Sequence, residues 1–279
     1  MCGMKNIIIL YHDDLDGFGA AWAAWKKFGN KADYLAVDYT KSMPTGLKNK
    51  EIYILDFCYP EAEIKALLKN NKKLVVIDHH VSRKEIFKLL KEYVWNINRA
   101  GCVLSWKYFH PGKKIPKLIE YVEDIDMWTF KLKNTNEITL FMESLPREFK
   151  VWNKVASEME NKKKFSRYLE KGEAIAGFVD KIIEIIASNS ENAIFEGKKV
   201  SVVNSPNFNS ELGAYLLKKT KNPIAIIWSL KNGVIRVSLR SLKSVDVSKL
   251  AQKYGGGGHR QAAGFSLSAE QQIPWRTIK

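Results

Sequence analysis

Three short segments of this chain concentrate side chains that can hold cations or move protons. The first is His12-Asp13-Asp14-Leu15-Asp16-Gly17, the second the single Asp56, and the third Asp78-His79-His80. Each follows directly on an aliphatic run: Ile7 to Tyr11, Ile52 to Leu55 and Leu74 to Ile77. Carboxylates gathered in one place repel one another and hold on to their protons. A divalent cation removes that cost, and Asp and His donors without cysteine suit Mn²⁺ or Mg²⁺, with Zn²⁺ or Co²⁺ as alternatives. In an extended segment His12, Asp14 and Asp16 fall on one side. Taken singly, each residue has an ordinary reading: Asp56 as a helix cap, His79-His80 as a surface pair, Asp13 as a turn or solvent residue. Their recurrence at successive strand ends argues instead for a metal centre.

The elements that must position these residues follow from periodicity. The apolar runs alternate with the helical stretches Gly17 to Phe28 and Glu61 to Leu68, and Ala32 to Val37 reads as a further strand. Strands that are apolar throughout and separated by helices indicate an α/β fold with a parallel sheet covered on both faces. Such a sheet places its ligand site beyond the C-terminal ends of its strands. From Val151 to Asn189 the chain turns polar and helical, with Lys162-Lys163-Lys164 as a solvated face and apolar spacing at Ile175, Phe178, Val179, Ile182, Ile183 and Ile186. A second pattern then starts, with strands at Lys199 to Val203 and Ile224 to Leu230 around a helix from Ser210 to Lys218. Asn232-Gly233 is a hairpin signal leading into Val234 to Leu239, followed by a short helix near Val247 to Tyr254 and a strand from Ala262 to Leu267. The expected organisation is a parallel-sheet domain at 1–150, a helical connector at 151–190 and a second, smaller α/β domain at 191–279.

Between that short helix and the last strand lie four glycines, Gly255 to Gly258, then His259 and Arg260. Glycines there let backbone N–H groups come close to an anion. Arg240, ending the hairpin strand, can add a bidentate fork. Arg240, Gly256, Gly257, Gly258, His259 and Arg260 are therefore candidate phosphate-binding residues. Asn98 to Cys102, ahead of a helix at Val103 to Phe109, either presents helix N-terminal amides to the same ligand or is an ordinary helix start. Cys102 reads as packing, and Trp22, Trp25, Trp106 and Trp128 mostly as core residues at helical spacing, with base stacking by any of them as the alternative.

The 279 residues carry 45 Lys plus Arg against 30 Asp plus Glu, a formal charge of +15. That balance favours a polyanionic partner such as nucleic acid or nucleotides, while 46% hydrophobic residues exclude wholesale disorder. Cys2, Cys58 and Cys102 form no C-x-x-C pair, which argues against a disulfide scaffold or a zinc ribbon. Without a signal peptide or a membrane-length apolar run, a reducing, cytoplasmic compartment is expected.

The motif His12-Asp13-Asp14-Leu15-Asp16-Gly17, with Asp56 and Asp78-His79-His80, resembles the DHH phosphoesterase superfamily. Gly255 to Phe265, preceded by Ser238-Leu239-Arg240-Ser241, resembles the DHH-associated C-terminal domain. The H-x-D-x-D-G form of the first motif is similar to the NrnB-type oligoribonuclease branch. The resemblance implies two metal ions, Mn²⁺ first among the candidates. By that likeness His12 and Asp14 hold one metal, Asp16 holds the other, Asp56 bridges them and His79 is a further ligand. Asp78 orients a histidine and His80 faces the substrate phosphate. A last ligand is expected from Tyr121 to Trp128, with Asp124 preferred over Asp126. Two cations roughly 3.5–4 Å apart share a water, lower its pKa and direct it at phosphorus. The implied activity is hydrolysis of short single-stranded oligonucleotides to mononucleotides. The alternatives are a phosphoesterase for 3′,5′-bisphosphorylated adenosine or (cyclic) dinucleotides, and a nucleic-acid-binding accessory protein without catalysis.

Overall fold

The computed structural model describes residues 4–37 and 43–278; Cys2 lies outside them. The chain divides into two compact units, residues 1–176 and 177–279. In the first, strands β1 (Ile7–His12), β2 (Ala32–Val37), β3 (Glu51–Leu55), β4 (Lys73–Asp78) and β5 (Glu92–Trp95) form one sheet in the order β2-β1-β3-β4-β5, with every pairing parallel. Ile9 and Tyr11 of β1 face one buried layer, Ile8 and Leu10 the other. Both faces are covered, which is why the strand sequences are apolar throughout. In this order the chain reverses direction between β1 and β3, the place where open parallel sheets bind ligands.

Helix α1 (Leu15–Phe28) leaves β1 after a two-residue turn, and Gly17 N–H donates to Asp14 Oδ1 at 2.8 Å as an N-cap. Its alanines at 20, 21, 23 and 24 are all buried, so the helix sits close to its neighbours. Helices α2 (Glu61–Asn70), α3 (Gly101–Phe109), α4 (Lys117–Asp126), α5 (Thr135–Glu143), α6 (Phe149–Met159) and α7 (Lys162–Ser188) follow. Trp22 stacks on Trp106 with ring centroids 5.4 Å apart, and Phe18 meets Trp152 at 4.8 Å. Trp152 is fully buried, so α6 packs into the core of this unit.

The second unit is a seven-stranded sheet in the order β10-β11-β9-β8-β7-β6-β12. Its strands are β6 (Glu191–Phe195), β7 (Lys198–Asn204), β8 (Ile224–Lys231), β9 (Val234–Ser241), β10 (Gly257–His259), β11 (Ala262–Ser268) and β12 (Trp275–Thr277). Among the described residues of this sheet only β7 and β8 pair in parallel, joined by α8 (Asn209–Thr220); α9 spans Val247–Gln252. Asn232 and Gly233 both take positive φ, 52° and 74°, the type I′ turn their sequence predicts.

The glycines of α7 give a test of packing. A Cβ at Gly172 would lie 2.1 Å from the Glu137 carbonyl oxygen, whereas at Gly177 nothing lies within 4 Å. Gly172→Ala should cost about 1–3 kcal/mol through overpacking, and Gly177→Ala should gain about 0.5–1 kcal/mol from helix propensity. Urea unfolding of the two variants checks the opposite signs; equal effects would remove the packing argument.

Candidate metal centre

The sequence motifs meet beyond the C-terminal ends of β1, β3 and β4. At the end of β1, His12 Nδ1 lies 2.6 Å from Asp14 Oδ2 and 3.8 Å from Asp56 Oδ2. His79, just after β4, has its Nε2 3.2 Å from Asp56 Oδ1, 3.6 Å from Asp126 Oδ2 and 3.8 Å from Asp16 Oδ2. Asp56 thus turns one oxygen to the His12–Asp14 group and the other to the Asp16–His79–Asp126 group. The potential ligand atoms of His12, Asp14 and Asp56 lie within 4.8 Å of one another, as do those of Asp16, His79 and Asp126. The backbone of Asp56 sits in the left-handed region at φ 65°, with its N–H still bonded to Ile77 O at 2.8 Å. It is not a helix cap; the N-cap of α2 is Pro60.

The segment from His12 to Asp16 is not extended throughout. The chain enters α1 at Leu15, so Asp16 sits in the first helical turn. Its carboxylate is buried and accepts from the Gly101 N–H at 2.7 Å and the Cys102 N–H at 2.8 Å. These are amides of the first turn of α3, where the helix dipole favours a negative charge. The helix-start amides of the Asn98–Cys102 segment thus serve the protein's own carboxylate. Gly101 was not singled out by sequence, yet a Cβ there would lie 2.6 Å from Asp56 Oδ1. Its signal was the glycine itself, at the first position of a helix. Arg99 forms a two-pronged ion pair with Glu123, through Nε–Oε1 at 2.5 Å and Nη2–Oε2 at 2.8 Å, and so ties the start of α3 to α4.

Asp78 offers a ligand atom within 4.8 Å of those of Asp56, His79 and His80, but one of its oxygens is engaged within its own motif. Its Oδ1 accepts from the His79 N–H at 2.7 Å and the His80 N–H at 3.2 Å, and sits 2.7 Å from His80 Nδ1. Burial opposes charge on both partners, but their contact wins: it holds the Asp78 carboxyl below its ordinary value and lifts the His80 imidazole above its own. Burial pulls His79 the other way, towards the neutral imidazole that a metal requires.

Of the two acids expected near the end of α4, the structure brings Asp126, and not the preferred Asp124, to His79. Asp124 is buried and accepts from the Thr129 and Thr135 hydroxyls at 2.5 Å each, and from the Lys131 and Leu132 amides at 2.8 and 3.0 Å. Burial raises its pKa, but these donors more than offset that and hold the carboxyl low. Its lone pairs are spent on a loop. Two residues along α4 rotate a side chain about 200°, and it is Asp126 that reaches His79. Trp128 is also not a core residue: it is 46% exposed. Cys102 is fully buried, and Asp13 is an exposed partner of Arg147 at 3.2 Å.

The donor set fits divalent cations. Asp56 Oδ1 is buried and accepts no hydrogen bond among the described residues. Burial first, then the charges of Asp16, Asp14 and Asp126, push the Asp56 carboxyl well above the ordinary carboxylate range. Asp126 is raised by burial and by Asp16 and Asp14 in the same way. A protein holding these groups together without cations carries a standing electrostatic cost.

In the second unit, the Arg240 guanidinium donates to Leu239 O at 3.0 Å and Ser210 Oγ at 2.9 Å. Among the described residues no carboxylate oxygen lies within 4 Å of it. A Cβ at Gly213 of α8 would lie 2.4 Å from Arg240 Cγ, so this glycine makes room for the arginine stem. His259, Ala262 and Arg240 are in register across β10, β11 and β9, which sets His259 and Arg240 on one face. The glycine run is neither a linker nor an open loop. Gly257 and Gly258 belong to β10, and a Cβ at Gly256 would lie 2.1 Å from Gly264 O. Arg260 is exposed, 4.0 Å from Asp246.

The sequence profile of the DHH family, N-terminal domain, matches residues 6–124, and that of the DHHA1 domain matches residues 175–274. An uncharacterized protein, R106, of Acanthamoeba polyphaga mimivirus is 29% identical, the match covering 94% of this chain and 67% of that protein. Oligoribonuclease NrnB of Bacillus subtilis is 24% identical over 93% of this chain and 72% of its own length. Among solved structures, RecJ of Thermus thermophilus in complex with Mn²⁺ superposes with a TM-score of 0.54 at 15% identity, over 95% of this chain and 50% of that one.

Two measurements check the cluster. Asp126→Ala should lose metal-dependent activity with little change in Tm, whereas Asp124→Ala should unfold more readily, by about 1–3 kcal/mol for the donors left unpaired; interchanged outcomes would restore Asp124 as the ligand. Mn²⁺ at about a hundred times its Kd should add about 2.7 kcal/mol, on the order of 5–10 °C in Tm. Asp56 and Asp126 bind protons more tightly in the fold than unfolded, and metal must displace those protons. The Mn²⁺ shift should therefore grow from pH 6 to pH 8 and vanish in Asp56→Ala; a pH-independent shift would place the ion elsewhere.

Proposed function

Because this chain belongs to the DHH phosphoesterase superfamily, in the branch of oligoribonuclease NrnB, we propose that it hydrolyses the phosphodiester bonds of short single-stranded oligonucleotides with two divalent cations, Mn²⁺ foremost. The observation that carries the reading is Asp56, with one oxygen towards His12 and Asp14 and the other 3.2 Å from His79. His12, Asp14 and Asp56 would hold one cation; Asp56, Asp16, His79 and Asp126 the other. Such cations, when bound, acidify an attacking water and neutralise charge on the phosphoryl oxygens.

The chain's own groups supply the rest. The α3 amides hold the Asp16 carboxylate in place, so this part of the pocket is formed before substrate arrives. Asp78 holds the His80 ring by Nδ1 and raises its affinity for a proton, on a ring suited to the leaving oxygen. Arg240, a guanidinium fixed at Ser210 and matched by no close carboxylate among the described residues, offers its fork to a phosphate of the substrate, with His259 on the same face. The charge of +15 suits a ligand with several phosphates.

End-labelled RNA and DNA of two to ten nucleotides, digested with Mn²⁺ and resolved by length, test the reading. Turnover should be greatest on the shortest substrates and should stop with chelator. Asp56→Ala should fall at least about 100-fold in kcat. Arg240→Ala should instead raise KM about tenfold or more with kcat nearly kept, as expected for one charge-assisted contact. Full turnover by Asp56→Ala would exclude the bridging role. Hydrolysis confined to 3′,5′-bisphosphorylated adenosine would move the substrate class to small nucleotides.

A further inference from the structure

Beyond Asp126 the chain does something costly. Trp128 and Phe130 are 46% and 44% exposed, and their rings meet edge to face with centroids 4.8 Å apart. Both residues lie in the left-handed region, at φ 53° and 47°. Bulky side chains are rare there and strained. The strain is imposed from beneath. Asp124 takes the Thr129 hydroxyl and the Lys131 and Leu132 amides on its side chain, and the Thr129 N–H on its carbonyl at 2.9 Å. A buried carboxylate with four donors fastens a short loop whose product is two aromatic rings held in water. Burial of apolar surface does not account for this, because the rings are not buried.

Their location supplies a use. Asp126 Oδ2 is 3.6 Å from His79 Nε2, and Trp128 follows two residues later, its Cα within about 7.6 Å of that of Asp126. The loop that carries both rings therefore begins directly beside the metal cluster of the first unit. A ligand whose phosphate reaches that centre brings a flat aromatic group one sugar away. We infer that Trp128, with Phe130 set edge-on against it, is a stacking platform for the nucleobase beside the scissile phosphate. Stacking accepts every base, since each has a π face, and is worth about 1–3 kcal/mol per base. The inference rests on the phosphodiesterase reading and adds the element that would recognise the base.

The test compares a dinucleotide with its two abasic counterparts, in which one or the other base is removed. The wild type should favour the complete dinucleotide over one abasic form by about tenfold or more in kcat/KM. Trp128→Ala should collapse that ratio towards one, chiefly through KM, and Trp128→Phe should restore most of it. An unchanged ratio in Trp128→Ala overturns the platform, as does an equal loss on complete and abasic substrates, which would make the residue a prop for the loop. The same comparison by calorimetric binding, with Ca²⁺ in place of Mn²⁺, separates the two proposals. If the wild type cleaves nothing but Trp128→Ala still erases a base-dependent affinity, the platform stands and the hydrolytic reading falls.

Discussion

The constraint on which the rest depends is the crowding of like charge at one sheet edge. Asp14, Asp16 and Asp126 are held close enough to Asp56 that each raises the cost of ionising it. A folded domain has only about 5–15 kcal/mol in hand, so such an arrangement persists only in a rigid frame. The frame is visible in the first unit: parallel strands buried on both faces, an alanine-rich helix directly after the first motif, and helix-start amides turned onto Asp16. Each loop carries one part of the cluster, and no loop carries enough to bind an ion alone.

Much of this was legible because strand ends are legible. An aliphatic run stopping at a charged residue marks both the element and the point where the chain leaves it, and β1, β3 and β4 all stop that way. What sequence spacing could not supply was rotational phase at the end of α4. Asp124 and Asp126 differ by two residues and so point to opposite sides of the helix; only tertiary contacts decide which side is inside. Gly101 was missed for a related reason, since its need arises from Asp56, distant in sequence. Strands β5, β6, β10 and β12 were missed because they are short and half-exposed, three of them at sheet edges, and a run of glycines has no strand propensity. Trp128 was assigned to the core by residue type, although backbone geometry places it in solvent.

The second unit follows a different logic. There the informative residue is Arg240, a cation with no ion pair within 4 Å among the described residues, seated against a glycine of α8, braced by Ser210 and felt electrostatically by Glu211. An arginine so placed keeps its charge for a ligand, where a surface arginine would have found a carboxylate. The glycines at 256 to 258, expected to cradle an anion, are required at two positions by close approach of β11. Packing explains the lack of a side chain at Gly256 and Gly258 before any ligand is invoked, whereas nothing lies within 4 Å of a Cβ at Gly257.

Cys102 lends its amide to Asp16 while its sulfur is sealed in the core. Burial first, then the nearby Asp16, drive that thiol well above its ordinary pKa, and burial carries Cys58 up to about 12. Neither sulfur forms an appreciable thiolate at neutral pH, and thiolate is the form that peroxides and alkylating agents attack. The heart of the molecule is therefore indifferent to oxidative stress at sulfur, and its output should follow the supply of metal and substrate rather than the redox state of its surroundings.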